Sequence, residues 1–215
     1  MKGQPGTVVN LVTEASHVVN TQLVPANLTD EHHKNDGTFH GAISMRFRKT
    51  VVVAAVDSEG NLTVTLDGAP VPFEAMRKQD GLTLKVSQYL PYYGQVADVS
   101  TPAFRFFLHA VQPYSTSAGW SRGHLDFSAT MMAGVSAHGL LGQTVPREGS
   151  VCPDHFDFAG EGTEEDYVVS DLQAVNFEYN KYAGQPVGTS RRLHMADVIY
   201  QPLASPLNAV CRGFY

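Results

Sequence analysis

The chain has 215 residues, of which 43% are apolar and 17% are charged, and this composition excludes disorder along its whole length. Its formal net charge is −6 and it has no run of Lys and Arg, which excludes the basic footprint of a nucleic-acid-binding protein and the polybasic segment of a membrane-surface protein. No window approaches the roughly 18 apolar residues of a transmembrane helix, so we expect no membrane insertion.

The N-terminal half reads as short strands separated by turns. Two β-branched segments come first and are followed by a polar loop over residues 25–37. A half-buried strand alternates apolar and polar residues, and the alternating or continuously apolar segments here are 7–12, 18–24, 42–48, 50–56 and 61–66. Asp57–Gly60 is a turn signal, and Asp67-Gly68 predicts a tight hairpin.

The C-terminal half continues this pattern less regularly. Further extended segments are predicted at 71–76, 82–86, 103–111, 124–129 and 168–179. Residues 134–144 are Gly-rich and indicate a tight corner, whereas residues 146–166 form a long acidic loop.

Strand signals dominate, and no convincing amphipathic helix is present. The chain carries 19 Gly and 12 Pro, which also disfavours a helical fold. Short strands with turn signals about 8–12 residues apart predict a mainly β fold. We expect an antiparallel β-sandwich or meander of many strands with long loops and little helix. One domain over 1–215 is the simplest organisation, with an irregular segment from about residue 184.

The two cysteines, Cys152 and Cys211, do not form a CxxC pair, which excludes a zinc ribbon. Cys152 lies in a polar loop flanked by Pro and Gly, where a buried thiol is less natural. We therefore predict a disulfide between them, and two free buried thiols are the alternative.

One corner of the sequence resembles a known family. Residues 123–127 read Gly-His-Leu-Asp-Phe, and residues 137–144 read Ala-His-Gly-Leu-Leu-Gly-Gln-Thr. Together they resemble the plant root cap protein family, which is related in pattern to von Willebrand factor type D domains. The opening segments at 6–12 and 19–23 and the hairpin at 57–68 are similar to that family as well. The resemblance implies a secreted β-rich module with no established catalytic activity and no specific ligand.

The chain also departs from the type D pattern. Type D domains usually carry many cysteines, whereas this chain has two. Leu141 stands near the position of a cysteine in a type D corner. The assembly and disulfide-exchange roles of type D proteins are therefore not expected here.

An acidic segment is the candidate metal site. Calcium takes six to eight oxygen ligands, and type D relatives include calcium-binding loops. The candidate ligands are Glu161, Glu164, Glu165 and Asp166, and a solvated charge run is the alternative. The nine histidines show none of the usual zinc-ligand spacings, and no other cofactor is expected.

Aromatic residues near Pro and Gly offer a candidate binding surface. Tyr92, Tyr93 and Trp120 flank loops, where exposed rings bind sugars or partner proteins. The alternative is that these rings fill the core or cover strand edges.

The Gly-rich corner and two sequons complete the candidate sites. His138 is expected to tie down backbone groups at the corner, where Gly139 and Gly142 supply positive φ or close packing. Asn27 and Asn61 each begin an Asn-Leu-Thr sequon, a glycosylation site in a secreted protein. Unmodified asparagines are the alternative.

These observations predict a non-catalytic extracellular module with a structural, adhesive or binding role. Its expected partner is an extracellular protein or polysaccharide. Residues 1–6 lack the apolar core of a signal peptide, so the chain is either cytosolic or the mature portion of a secreted protein with an added Met1. The family resemblance and the two sequons favour the second alternative. The alternatives are a carbohydrate-binding module and a hydrolase with a spatially assembled site. No GxSxG nucleophile elbow is present, and an enzyme is the less favoured reading.

Overall fold

A computed structural model describes residues 4–14, 16–26, 37–89, 93–113, 123–131, 139–140 and 167–175. These residues form twelve β-strands. The first six are β1 (Val8–Glu14), β2 (His17–Pro25), β3 (Thr38–Phe47), β4 (Thr50–Val56), β5 (Leu62–Leu66) and β6 (Ala69–Pro70). The other six are β7 (Met76–Gln79), β8 (Leu82–Tyr89), β9 (Tyr93–Ser100), β10 (Phe104–Val111), β11 (His124–Met131) and β12 (Val168–Val169).

The strands form one curled antiparallel sheet that branches at β3. Its main path runs β12-β1-β2-β3-β11-β10-β9-β8-β7, and a branch leaves β3 through β4, β5 and β6. On one edge of β3, His40 pairs with Leu125 of β11, whereas the segment 42–47 pairs with β4. β3 therefore belongs to two layers, and the expectation of a mainly β antiparallel fold is confirmed.

The hydrophobic core lies between these two layers. In β4, every second residue from Thr50 to Val56 is buried, and β10 repeats this pattern with Phe104, Phe106, Leu108 and Ala110 buried. The apolar residues of both strands belong to the same buried cluster. Fully burying a side chain such as Phe106 or Leu108 contributes about 1.5–3 kcal/mol. Alternation along each strand thus assigns one side of each layer to the core.

Two tight hairpins carry the backbone conformation that their sequences predict. Asp67 and Gly68 have φ of 50° and 80°, and Asp80 and Gly81 have φ of 50° and 88°. Positive φ at both central residues is typical of a type I′ turn, whose twist matches the flanking strands. These turns join β5 to β6 and β7 to β8.

The sequence prediction differs from the structure in three segments. β9 was not predicted, because Val96 and Ala97 are both buried and break the alternation that identifies a half-buried strand. Residues 71–75 lead through a turn, closed by Ala75 N donating to Pro72 O, so the strand begins only at Met76. Of the extended segment predicted at 168–179, the structure describes only Val168–Val169 as a strand.

Candidate functional site

On the side away from the core, strands β7 to β10 carry a group of mainly polar side chains, which we call the outer face. Leu84 of β8 pairs in register with Val99 of β9, which pairs with Phe106 of β10, and all three are buried. Since successive side chains along a strand point to opposite sides, the residues between them face away from the core. The outer face consists of Met76, Lys78, Thr83, Lys85, Asp98, Ser100, Arg105 and Phe107. Further along the same side, Ser87, Val96 and His109 pair in register, and Val96 is buried.

A bidentate ion pair between Arg105 and Asp98 lies on the outer face. Arg105 Nε donates to Asp98 Oδ1 at 3.0 Å, and Arg105 Nη2 donates to Asp98 Oδ2 at 2.7 Å. The hydrogen bonds to Asp98 and its charge raise the pKa of Arg105. The Arg105 side chain is 61% exposed, so the pair contributes no more than about 1 kcal/mol to stability. It does fix the guanidinium in one orientation toward solvent.

Two further cations of the outer face lie on β7 and β8. Lys78 and Lys85 are both exposed, and Lys85 lies directly between Met76 and Asp98 in the sheet register. The outer face therefore combines exposed cations, hydroxyl groups and apolar surface on a rigid framework. These are the groups with which a sheet surface contacts an anionic or polar partner.

A second cluster has the residue types of a hydrolase triad. His17 Nδ1 lies 2.8 Å from Glu14 Oε2, and His17 Nε2 lies 2.8 Å from Thr101 Oγ1. The imidazole is only 3% exposed and packs between Phe47 and Phe104, with ring centroids at 4.6 and 4.8 Å. The carboxylate of Glu14 favours the neutral ring with its proton on Nδ1. We call Glu14, His17 and Thr101 the relay.

The Thr101 hydroxyl of the relay also stabilises a backbone turn. Thr101 Oγ1 accepts hydrogen bonds from the backbone N–H groups of Ala103 and Phe104 at 3.3 and 3.0 Å. A nucleophile needs an accessible oxygen next to its base, whereas this oxygen is held by the backbone and faces a buried ring. The relay therefore joins the β1–β2 hairpin to the β9–β10 turn.

Burial and hydrogen bonding shift the pKa values of His17 and Glu14 in opposite directions. Burial lowers the pKa of His17 below its ordinary value and outweighs the opposing effect of Glu14. Burial alone would raise the pKa of Glu14, but the hydrogen bonds from His17 and Ser16 outweigh it and lower that pKa. The folded protein thus holds a neutral imidazole beside a carboxylate.

A third group gathers histidines where β3, β10 and β11 meet. His40 Nδ1 lies 2.8 Å from Thr21 Oγ1, and burial lowers the pKa of His40 to about 4. His124 is 1% exposed and stacks on Phe39 with ring centroids 3.9 Å apart. Burial also lowers the pKa of His109, although the charge of Asp126 opposes the shift. Burial thus favours the neutral form of His40 and His109, and the His124 ring packs as an aromatic group against Phe39.

Two buried asparagines fasten a distant segment to the first two strands. Asn10 Nδ2 donates to Asn20 Oδ1 at 2.9 Å, and Asn20 Nδ2 donates to the carbonyls of Leu172 and Ala174 at 3.2 and 2.9 Å. Both asparagines are fully buried, with exposures of 0% and 1%. Buried amides need such partners, so this cluster is structural. Sequence reasoning missed it, because the partners lie more than 150 residues apart.

Two predicted site residues, Gly139 and Asn61, lie among the described residues, and the structure shows a role for each. Gly139 has φ of +94°, and a Cβ there would lie 2.6 Å from Leu11 O, so both backbone conformation and space require glycine. Asn61 is exposed in the turn between β4 and β5, where its Nδ2 donates to Asp57 Oδ2 at 2.9 Å. The hydrogen bonds from Asn61 lower the pKa of Asp57.

The other predicted site residues are not described by the structure in the detail needed to place them. Tyr93 begins β9 and pairs with Tyr89, and its side chain is outside the description. The remaining candidates lie outside the described residues: Tyr92, Trp120, His138, Gly142, Cys152, Cys211, Asn27, Glu161, Glu164, Glu165 and Asp166. The calcium, disulfide and aromatic-platform predictions therefore stay predictions.

Among the described residues, no group of three or more His, Cys, Asp or Glu side chains is arranged to hold a metal ion. The same part of the chain contains no helix of the length and apolar character needed to span a membrane. Comparison with protein-family models gave no match, and comparison with curated proteins gave no significantly similar sequence.

Proposed function

We propose that this chain is a non-catalytic extracellular module with a structural or adhesive role, which binds a protein or polysaccharide through the outer face. The observation that carries the proposal is the arrangement of Lys78, Lys85 and the Arg105–Asp98 pair on four adjacent strands. A rigid sheet loses little conformational entropy when it binds, because its backbone is already ordered.

The buried polar groups support a non-catalytic role. The relay is the cluster closest in chemistry to a hydrolase site, but its Thr101 oxygen caps a turn and its His17 ring is enclosed by two phenylalanines. The relay thus favours a structural role over the hydrolase alternative.

An extracellular location is supported by the sequon at Asn61. This asparagine lies in an exposed turn, which is where a glycan attaches without disturbing the core. The resemblance of residues 123–127 and 137–144 to the root cap family points to the same compartment.

A carbohydrate-binding module is the second candidate, and the Arg105–Asp98 pair favours it. The pair presents guanidinium donors and carboxylate acceptors together, a combination that suits the paired hydroxyls of a sugar ring. Phe107 lies in register with Asp98 on the same side of the sheet, and an aromatic ring packs against the apolar face of a sugar.

Binding to immobilised polysaccharides and extracellular matrix proteins, measured by biolayer interferometry, tests the proposal. Lys85→Glu reverses a charge on the outer face, and Lys49→Glu makes the same change at an exposed position in the β3–β4 turn. We expect Lys85→Glu to weaken binding at least about tenfold, whereas Lys49→Glu leaves it unchanged. Equal effects of the two substitutions would overturn the proposal.

A further substitution separates the two candidate ligands. Arg105→Gln keeps a polar side chain but removes the bidentate pair with Asp98. Loss of polysaccharide binding alone in this variant supports the carbohydrate-binding candidate, and loss of protein binding alone contradicts it.

A further inference from the structure

The free backbone edge of strand β7 is a second candidate surface, which adjoins the outer face at Met76 and Lys78. β7 ends the main path of the sheet and pairs only with β8 in the part of the chain that the structure describes. All four of its residues are exposed. An edge strand presents backbone N–H and C=O groups to which another extended chain can pair.

The register identifies which backbone groups are open. Val86 N donates to Ala75 O, and Met76 pairs with Lys85 one position further along. Since hydrogen-bonded and non-hydrogen-bonded pairs alternate along an antiparallel ladder, Arg77 and Gln79 direct their backbone groups to β8. Met76 and Lys78 direct theirs away from the sheet.

Exposed apolar side chains lie at the same edge. Phe73 is 45% exposed and Met76 is 53% exposed, and among the described residues only Val175 is another large apolar side chain with such exposure. Phe73 lies in the turn that leads into β7. A partner strand with apolar side chains would pack against Met76, whose exposed side chain lies on the edge strand itself.

The two charged side chains on β7 itself are cations, although the exposed carboxylates of Glu74 and Asp80 flank the strand. Arg77 and Lys78 are both exposed on β7, although the chain as a whole has a net charge of −6. Two copies of β7 placed side by side would bring these cations together, which disfavours self-pairing. An acidic segment would be attracted to Arg77 and Lys78.

We propose that β7 is a docking edge that binds an extended acidic peptide with apolar residues by β-strand addition, main-chain hydrogen bonds to Met76 and Lys78 providing the pairing. The inference rests on the proposed binding role of the chain. It differs in that main-chain hydrogen bonds at the edge of β7 provide the pairing, although Met76 and Lys78 also belong to the outer face.

A blocked eight-residue peptide of alternating Val and Glu is the probe, and the same peptide with Lys in place of Glu is its control. Backbone amide NMR of the whole chain should show the acidic peptide shifting Met76 and Lys78 and slowing their hydrogen exchange. The Lys peptide should leave both amides unchanged. Shifts confined to other strands, or an equal response to both peptides, would overturn the proposal.

Lys78→Pro and Lys78→Ala form a matched pair of variants. Both remove the charge, but only proline removes the outward N–H, and it breaks no hydrogen bond to β8. We expect affinity for the acidic peptide to fall roughly tenfold further in Lys78→Pro than in Lys78→Ala, the effect of one backbone hydrogen bond. Equal affinities of the two folded variants would refute pairing at this edge, and the wild-type NMR result decides the question if Lys78→Pro does not fold.

The two proposals fail in distinguishable ways. Peptide binding that survives Lys85→Glu, in a chain that binds no polysaccharide or matrix protein, supports the docking edge and rejects the outer face. Ligand binding that is lost in Lys85→Glu, with no response of β7 to the peptide, rejects the docking edge alone.

Discussion

Acidification should destabilise the protein through His40. Burial lowers the pKa of His40 to about 4, whereas an unfolded histidine titrates near 6.5. Between these two values the unfolded state binds more protons than the folded state, so stability falls as the pH falls below 6.5. The stabilisation is therefore complete above that pH and is lost progressively toward pH 4.

The size of this effect follows from the two pKa values. Between pH 7.5 and pH 5, the difference in proton binding at His40 costs about 2 kcal/mol of the free energy of unfolding. His17 and His109 act in the same direction, because burial also lowers their pKa values. The wild-type protein should therefore lose at least this amount over that range.

Urea denaturation at pH 7.5, 6.5, 5.5 and 5 measures the loss directly. His40→Phe keeps an aromatic ring beside Phe127, which His40 contacts edge-on at 5.0 Å, and leaves the Thr21 hydroxyl its bond to Ala42 O. We expect the stability of this variant to depend on pH about 2 kcal/mol less than that of the wild type. The same pH dependence in both proteins would refute the reasoning, whatever the stability of the variant at pH 7.5.

Three further predictions concern stability and use urea denaturation at pH 7.5. Asn20→Leu leaves one buried and one partly buried carbonyl without their donor and should cost about 3 kcal/mol. Asn61→Ala at an exposed turn should cost less than about 1 kcal/mol. Gly139→Ala should cost about 3 kcal/mol, because its Cβ meets a backbone oxygen of β1. Gly68→Ala has open space around it and should cost only about 1–2 kcal/mol for its positive φ. Equal costs within either pair would contradict the structural assignment. His17→Leu keeps apolar packing but removes two hydrogen bonds and should cost about 2 kcal/mol, and a variant as stable as the wild type would show that the relay is dispensable.

Local patterns in the sequence predicted much of the fold. The alternation in 61–66 and the apolar run in 50–56 correspond to β5 and β4, because one buried side per strand leaves a direct signature in the sequence. The Asp67-Gly68 hairpin was predicted from its residue types, because few residues adopt positive φ without strain. β9 left no such signature, because neighbouring residues in it are buried on both sides of the sheet.

The candidate sites were far less predictable, since they depend on contacts between distant parts of the chain. Thr101 lies 84 positions from His17, and nothing in either neighbourhood indicates the other. The outward direction of Lys85 follows from alternation in 82–86, but its position beside Asp98 requires knowing that β8 pairs with β9. Long-range strand order is set by the packing of the whole core and not by local residue preference.

The branching of the sheet at β3 has a consequence for how the protein unfolds. Because β3 pairs with β2 along one edge and with both β4 and β11 along the other, neither layer can detach without stripping partners from the strand that the other layer needs. Melting should thus be a single cooperative event for the described strands, with far-UV and near-UV signals changing together.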